Sequence, residues 1–341
     1  MVMKSWHIDS SSSPGALQLR SHDDLSPGPS EVVVRVRASA LNSRDLKILQ
    51  GSFRIPPRAG LVPLSDGAGE VVAVGAGVTR FKTGDRVAST FHQRWIGGRF
   101  TGEAMGFDLG GSLDGMLAEQ VCLHEDGLVR IPAHLSYREA AALPCAAVTA
   151  WCALHGHVPL APGETVLTQG TGGVSLFALQ FAKLAGARVI ATTSSEAKAE
   201  RLKALGADEV INYRDTPDWE KAVLSLTAGR GVDHVIEVGG PSTLGKSVKA
   251  VAIGGQVALI GIVGGAASGF NPDVLRGRCI VLRSTNVGSR QAFEAMNRAI
   301  EVSGLRPVLD ETFAFERAGD AYRHLESQNH FGKVLIADLE S

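Results

Sequence analysis

Three small residues, Gly170, Gly172 and Ser175, stand at the spacing GxGxxG between a short apolar strand and an apolar helix pattern. The first glycine of such a pattern permits a tight turn. The second lets backbone amides at the helix N-terminus approach a pyrophosphate. Serine at the third position is a tolerable departure. The pattern predicts dinucleotide binding, with a plain strand–turn–helix as the alternative, and the predicted contacts in the turn are Gly170, Thr171, Gly172, Gly173 and Val174.

The residues at the end of the next predicted strand indicate whether the chain binds NAD or NADP. NAD-binding chains usually carry a carboxylate there, which bonds the adenosine ribose and would repel a 2′-phosphate. Hydroxyl and basic groups suit a phosphate instead, so the sequence predicts NADP(H). The alternative is that Lys198 and Arg214 are ordinary solvated charges. The predicted phosphate-side residues are Thr193, Ser194, Ser195, Lys198 and Tyr213, with Arg214 beside them.

Alternating strands and helices must position these groups. Apolar, β-branched strands separated by helical segments predict a doubly wound α/β unit with a parallel sheet covered on both faces. Ser195 is expected to cap one helix and Gly206 to end it. The predicted strands are 165–169, 188–193, 209–213, 232–238, 256–262 and 279–284.

The flanking segments have a different pattern. Residues 31–38 alternate inward and outward side chains like a half-buried strand, and the first 140 residues are β-rich. After residue 285 we expect a helix at 290–302 and a last strand at 333–337. The predicted organisation is therefore a catalytic domain of residues 1–140 and 285–341 around a dinucleotide-binding domain of residues 141–284.

Bulk properties exclude several classes of function. The net charge of −1 over 341 residues argues against a nucleic-acid or membrane-surface role, which needs a concentrated positive field. No apolar run approaches the ~20 residues that span a bilayer. The four cysteines form no CxxC pair, which suits a reducing cytoplasm. We therefore expect a cytoplasmic protein with a small-molecule substrate.

Further motifs occur in an order shared with a known family. They are 40–45, 63–72, 84–87, 143–151 and 332–336, besides the glycine-rich turn. With them the whole chain resembles the medium-chain dehydrogenase/reductase superfamily, specifically its zinc-independent, quinone-oxidoreductase-like alcohol dehydrogenase group. The resemblance implies a Rossmann domain plus a GroES-like β-barrel catalytic domain, with substrate and nicotinamide in the cleft between them.

The resemblance also bears on metals. Zinc-dependent members carry a cysteine where this chain has Asn42, a His–Glu pair where it has Ser65 and Asp66, and often a cysteine where it has Cys145. A catalytic zinc needs about three protein ligands, and amide and hydroxyl groups are poor ones. Residues 91–120, where the structural-zinc cysteines would lie, contain none. We expect no metal site.

Without a metal, another group must orient the substrate. The resemblance implies that Asn42 lies near nicotinamide and substrate, and that Ser65 and Asp66 line the vacated metal position. A structural role for Asp66 is the alternative. Asp45 is a possible neighbour, although a solvated loop is an equally good interpretation. No general acid is evident, and hydride delivery to a quinone or activated alkene can take its proton from water.

Other cofactor contacts rest on the resemblance alone, and the glycines among them could simply be turn residues. They are Thr149, Gly239, Gly240, Ile260, Gly261, Ile262, Asn286, Val287 and Lys333. Residues 91–107, rich in aromatics and glycine, suit a mobile loop over an apolar ligand or, equally, local packing.

The sequence thus predicts an NADP(H)-dependent, zinc-independent oxidoreductase that transfers hydride to a quinone, an enone or a small carbonyl compound. One alternative is an NADP-dependent alcohol dehydrogenase working in the oxidative direction. Another is a non-catalytic NADPH-binding sensor. Strand 279–284 could pair across a two-fold axis, so a homodimer is expected.

Overall fold

A computed structural model describes residues 2–9, 16–53, 58–261 and 273–337. By its internal contacts the chain divides into two compact units. Unit 1 comprises residues 1–148 and 288–341, and unit 2 comprises residues 149–287. Within the described ranges, no helix has the length and apolar character needed to cross a bilayer.

The first segment of unit 1 is mostly antiparallel sheet. The predicted alternation along β3 is wrong, because Val32, Val33 and Val34 are all buried. Strands β4 and β6 and a C-terminal strand pair with β3. The elements are β1 (Val2–Asp9), β2 (Ala16–Asp23), β3 (Glu31–Ala40), α1 (Ser43–Leu49), β4 (Asp66–Val74), β5 (Arg86–Ser89), β6 (Gln120–His124), β7 (Leu128–Arg130) and α2 (Tyr137–Ala141).

Unit 2 holds a parallel sheet. Its elements are α3 (Val148–His155, whose first residue belongs to unit 1), β8 (Thr165–Gln169), α4 (Gly173–Leu184), β9 (Arg188–Thr193), α5 (Glu196–Ala204), β10 (Glu209–Asn212), α6 (Trp219–Leu226), β11 (Val232–Glu237), α7 (Leu244–Ala250), β12 (Val251–Leu259), α8 (Asp273–Gly277) and β13 (Val281–Ser284). In the described part of the chain the strand order is β10-β9-β8-β11-β12-β13. Numbered within the unit this is 3-2-1-4-5-6, the doubly wound Rossmann order.

The last segment completes unit 1. It consists of α9 (Arg290–Ser303), β14 (Leu309–Phe313), α10 (Ala318–Glu326) and β15 (Lys333–Ala337). Strand β15 pairs antiparallel with β3, so Leu335 lies opposite Ala40. This pairing brings the C-terminal strand beside the chain that leads into α1.

Most of the predicted elements are present. Strands 165–169, 188–193 and 333–337 have the predicted bounds. Ser195 caps α5, and Gly206 follows its end at φ 98°. Residues 137–155 form α2, a π-helical turn at Leu143–Ala147, and α3. The strand predicted at 256–262 is β12, which begins and ends earlier.

Candidate active site

The glycine-rich turn of unit 2 leaves open space beside its backbone. Gly170 has φ 72°, a left-handed conformation that favours glycine, and Gly172 precedes the first residue of α4. A Cβ built on either glycine would meet no atom within 4 Å. No side chain caps α4 at Gly172, so its first-turn amides remain for a ligand. The turn therefore fits a dinucleotide pyrophosphate.

Ser175 shows why the departure from GxGxxG is tolerated. Its side chain is buried in α4, and its hydroxyl donates to the Gln169 carbonyl at 2.6 Å. This hydrogen bond joins α4 to Gln169, the last residue of β8. A glycine at position 175 would let the helix and the strand approach closely but could not form this bond.

A buried carboxylate that the sequence interpretation missed organises the neighbouring turn. Glu237, the last residue of β11, has 0% exposure. It accepts hydrogen bonds from Gln169 Nε2 (3.0 Å), Gly240 N (2.8 Å), Thr243 Oγ1 (2.6 Å) and Ser247 Oγ. All four donors are neutral. A charged residue at the end of an apolar strand was the signal available in the sequence.

The ends of β11 and β12 approach each other closely. A Cβ on Gly261 would lie 1.7 Å from the Val238 carbonyl oxygen, so only glycine fits there. Ile260 N and Gly261 N both donate to the Glu237 carbonyl at 2.9 Å. Gly239 N donates to Gln169 Oε1 at 3.3 Å. Of the predicted contacts, Gly240 therefore bonds the Glu237 carboxylate, Ile260 and Gly261 bond the backbone carbonyl of Glu237, and Gly239 bonds Gln169.

The remaining predicted cofactor residues of unit 2 differ in their surroundings. Thr149 is buried in α3. Val287, next to Asn286, is buried at φ 54°, a strained conformation for a β-branched residue. Ile262 lies outside the described residues.

The predicted phosphate-side residues lie around the end of β9. Thr193 is 1% exposed, and the Ser195 hydroxyl accepts from Lys198 N at 3.3 Å as the cap of α5. Ser194 and Lys198 are half-buried, whereas Tyr213 and Arg214 are exposed just past β10. The hydroxyl of Ser195 is thus already used by the helix.

In unit 1 an unusual backbone conformation sets the start of β4. Leu64 has φ 71° although it is not glycine, and its carbonyl accepts from Met116 N at 2.8 Å. Gly110 and Gly115 pack so closely on it that a Cβ on either would lie within 2.6 Å of its backbone. This turn delivers Ser65 and Asp66, both fully buried, to the interior.

Four side chains of unit 1 form a closed ring of hydrogen bonds. Lys333 Nζ donates to Asn42 Oδ1 at 2.6 Å and to Asp66 Oδ2 at 3.3 Å, and its third bond goes to the Leu41 carbonyl at 2.7 Å. Ser65 Oγ donates to Asp66 Oδ1 at 2.7 Å. Asn42 Nδ2 lies 3.5 Å from Ser65 Oγ and completes the ring. Asn42, half-buried, is the most exposed member.

Asp45 lies beside this ring, in helix α1. Its Oδ2 accepts from Asn42 N at 2.7 Å, and its Oδ1 has no hydrogen-bond partner in the described chain. Burial raises the pKa of Asp45 to about 6, against the opposing attraction of Arg44. With 1% exposure, Asp45 is no part of a solvated loop, and that interpretation is wrong.

Cys145 also touches the ring through its backbone. Its N–H donates to Asp66 Oδ2 at 3.3 Å, and burial raises the pKa of its thiol. A protonated thiol is neither a good nucleophile nor a good metal ligand. Across the described ranges, no group of three or more His, Cys, Asp or Glu side chains is arranged to hold a metal ion.

The structure therefore brings together all four residues predicted to be catalytic, Asn42, Asp45, Ser65 and Asp66. It adds Lys333, which the sequence suggested as a cofactor contact. Within the described residues, the three acceptors of the Lys333 ammonium all belong to unit 1.

The aromatic residues of segment 91–107 contact one another. His92 and Trp95 both pack on Phe100 with ring centroids 4.8 Å apart, and Arg94 covers Phe107 at 3.7 Å. These contacts are local packing within unit 1. Met105 is exposed at 64%.

Comparison with known proteins identifies the family. The alcohol dehydrogenase GroES-like domain family matches residues 28–133, and the zinc-binding dehydrogenase family matches residues 173–301. The zinc-type alcohol dehydrogenase-like protein C1773.06c of Schizosaccharomyces pombe is 42% identical, over 90% of this chain and 91% of that protein. A quinone oxidoreductase of Pseudomonas aeruginosa is 33% identical, over 95% of this chain and 96% of that protein.

Solved structures agree. A protein of Sinorhizobium meliloti 1021 assigned as an alcohol dehydrogenase has a TM-score of 0.91 at 41% identity, with 98% of each chain covered. An NAD-dependent alcohol dehydrogenase has a TM-score of 0.89 at 36% identity, covering 98% of this chain and 99% of that one. The chain belongs to the medium-chain dehydrogenase/reductase superfamily. It is an oxidoreductase of that superfamily, with a GroES-like domain, a Rossmann-like domain and a nicotinamide cofactor, as the sequence predicted.

Proposed function

We propose that this oxidoreductase is zinc-independent and transfers hydride from NADPH to a quinone, an enone or a small carbonyl compound. The observation that carries the proposal is the ammonium of Lys333 bonded to Asn42 and Asp66. A zinc ion held by Asp66 would face that ammonium, and the neighbouring amide and hydroxyl are poor zinc ligands. The bound cofactor supplies the hydride, and Asn42 orients the substrate.

The preference for NADPH rests on charge at the end of β9. No carboxylate stands at Thr193, and Lys198 lies in the first turn of α5. Glu196 is the nearest acid in the sequence, and its Oε1 already accepts from Asn212 Nδ2 at 3.1 Å. These features support a site that accepts a 2′-phosphate. Because a similar protein of known structure is NAD-dependent, the preference has to be measured.

The first experiment follows oxidation of NADPH, with NADH alongside, against quinones, enones and aldehydes. Zinc content is determined on the same protein, purified without chelator. We expect turnover with NADPH and a quinone or enone, without stoichiometric zinc. Equal rates with NADH would contradict the cofactor assignment, and stoichiometric zinc would contradict the metal-free chemistry.

Lys198→Ala tests the phosphate assignment directly. Losing one charge-assisted hydrogen bond, worth about 1.5 kcal/mol or more, should raise the Kd of NADPH about tenfold and leave that of NADH nearly unchanged. The matched control is Lys203→Ala on the same helix, since Lys203 pairs with Glu200 at 3.0 Å. Equal loss for both cofactors would remove the assignment.

A second candidate function is NADP-dependent oxidation of alcohols, which the names of the similar alcohol dehydrogenases favour. It predicts a steady rate with simple alcohols and NADP⁺. Tight cofactor binding without turnover on any alcohol or acceptor would instead indicate a sensor.

We also propose a homodimer. Strand β13 lies at one end of the parallel sheet, and its outer edge has no partner strand in the described residues. An exposed edge can pair with a second copy. The molar mass from light scattering distinguishes a dimer from a monomer.

A further inference from the structure

The ring of hydrogen bonds in unit 1 has a direction that chemistry fixes. A lysine ammonium has hydrogens to donate and no lone pair, so the Asn42 atom that faces Lys333 must be the carbonyl oxygen. A carboxylate only accepts, so the single hydrogen of Ser65 is directed at Asp66. The Asn42 amide group therefore cannot rotate by half a turn without breaking its hydrogen bond to Lys333.

The direction of these hydrogen bonds determines which group of Asn42 can bond to an incoming molecule. Its NH2 group faces away from Lys333 and has two hydrogens to donate. Its one acceptor among the described residues is Ser65 Oγ at 3.5 Å, the limit of a hydrogen bond. Ser65, Asp66 and Lys333 have at most 2% exposure, whereas Asn42 is half-buried. The group that an incoming molecule meets is an amide donor with an ammonium 2.6 Å behind its carbonyl.

We infer that Lys333 and Asp66 are positioning residues that fix the Asn42 amide with its NH2 group toward the substrate. The site thereby selects an oxygen that accepts a hydrogen bond and gains negative charge during the reaction. This inference rests on the proposed function. It assigns the recognised feature of the substrate, which is the carbonyl oxygen of a quinone or enone.

The chemistry of these substrates matches such a donor. When hydride from NADPH adds to the β-carbon of an enone or of a quinone, a new C–H bond forms, the conjugated π electrons shift, and the electron pair of the C=O bond comes to rest on the carbonyl oxygen, while NADPH is oxidised to NADP⁺. That oxyanion, or its enolate carbon, later takes a proton from water. A donor polarised by a nearby cation gains strength as the negative charge develops, so it lowers the barrier more than it tightens ground-state binding.

The first test is Asn42→Asp. The new side chain has almost the same shape and still accepts from Lys333, but it has no NH2 group. With NADPH and either 1,4-naphthoquinone or 4-hexen-3-one, we expect kcat to fall on the order of 10²-fold with little change in KM. The thermal midpoint and the Kd of NADPH should stay near the wild-type values. Asn329→Asp is the matched control, because it adds the same charge at an exposed site of unit 1.

The second test separates positioning from stability. Lys333→Met leaves Asp66 buried without its counter-charge, so the thermal midpoint should fall. The double variant Lys333→Met, Asp66→Asn removes both charges and should recover the midpoint. We expect its kcat to remain between about 10- and 100-fold below wild type, as for other residues that orient a reacting group.

The possible results distinguish failure of this inference from failure of the proposed function. Retained kcat in Asn42→Asp, or recovery of kcat together with the midpoint in the double variant, would overturn the inference while the proposed function stands. A raised NADPH Kd in Lys333→Met with full kcat at saturating cofactor would instead make Lys333 a cofactor contact. Wild-type protein without turnover on either acceptor would overturn the proposed function and this inference together.

Discussion

Asp66 in unit 1 and Glu237 in unit 2 are both completely buried carboxylates, one at the start of β4 and the other at the end of β11, but their charges are balanced differently. Asp66 pairs with the ammonium of Lys333 at 3.3 Å. Glu237 accepts four hydrogen bonds from neutral donors, and no described lysine, arginine or histidine forms an ion pair with it.

The difference shows two ways to build a site. The neutral donors around Glu237 include the Gly240 amide, so this carboxylate fixes the path of a backbone turn in the dinucleotide-binding unit. The Asp66–Lys333 pair acts on a side chain instead, since Lys333 also holds Asn42 Oδ1. Glu237 thus shapes a backbone turn, whereas Asp66, through Lys333, orients the Asn42 amide.

The largest effect should come from breaking the ion pair. Asp66→Ala leaves the Lys333 ammonium buried without a counter-charge, so the free energy of unfolding should fall by about 3–5 kcal/mol. Chemical denaturation measures it, with Asp85→Ala as a control, because Asp85 pairs with the largely exposed Arg130. A loss below about 1 kcal/mol would mean that the Lys333 ammonium is satisfied without Asp66. The ion pair would then not distinguish Asp66 from Glu237.

The neighbouring carboxyl of Asp45 sharpens the comparison because it lacks a cation at bonding distance. Its pKa is raised from 3.8 to about 6 by burial. The Asp45 carboxyl therefore holds its proton more tightly in the folded protein than in the unfolded chain. The resulting stabilisation is present below about pH 4 and is lost as the pH rises through 6.

Asp45→Asn removes that titration. The stability difference, variant minus wild type, should become more favourable to the variant by about 2.4 kcal/mol between pH 4 and pH 7, because each unit of pKa shift corresponds to about 1.4 kcal/mol and part of the change falls outside this pH range. Denaturant titrations of both proteins at each pH give the difference directly. A pH-independent difference would show that Asp45 ionises normally in the folded state.

Glu237→Gln should have a smaller effect than Asp66→Ala. The amide keeps one acceptor but places an NH2 group against donors, and no opposite charge is left unpaired. We expect a loss of about 2 kcal/mol, typical of a buried hydrogen bond left unsatisfied. Glu200→Gln on the exposed face of α5 is the control. A loss as large as that of Asp66→Ala would mean that charge itself, not the number of donors, stabilises Glu237.

The sequence predicted unit 2 better than unit 1 because its signals are local. The bounds of β8 and β9, the cap at Ser195 and the glycine-rich turn all depend on residues within about one helical turn or strand of one another. The family resemblance then supplied the proposed role of Asn42, which lies in unit 1. The hydrogen bonds of Glu237 were not predicted, although its position after an apolar strand was visible.

Unit 1 depends on contacts that no local pattern contains. Lys333 reaches Asn42 across 291 residues of chain. Leu64, in its left-handed conformation, packs against Gly110 and Gly115, which lie far from it in the sequence. The family motifs included Asn42, Leu64 and Lys333 but not Gly110 or Gly115, and the pairing of β15 with β3 is what brings Lys333 to Asn42. In unit 1, the lysine that begins the apolar strand Lys333–Ala337 was a sequence signal of a buried charge.

The smallest effect on stability, and the clearest separation of stability from binding, should come from Gly172→Ala. A Cβ at Gly172 would meet no atom within 4 Å and its φ of −77° suits alanine, so the free energy of unfolding should change by less than about 1 kcal/mol. The same methyl group would stand where a pyrophosphate approaches the backbone. Losing one charge-assisted hydrogen bond should raise the Kd of NADPH about tenfold or more.

Gly102→Ala in unit 1 is the matched control for Gly172→Ala, because Gly102 also has open space around its Cβ position. Tryptophan fluorescence quenching measures the Kd, and denaturant titration measures the stability. An unchanged Kd in Gly172→Ala would mean that the open turn is not where the pyrophosphate binds. Asp66 and Glu237 would then differ only in how they stabilise the fold, because the turn that Glu237 shapes would have lost its link to the cofactor.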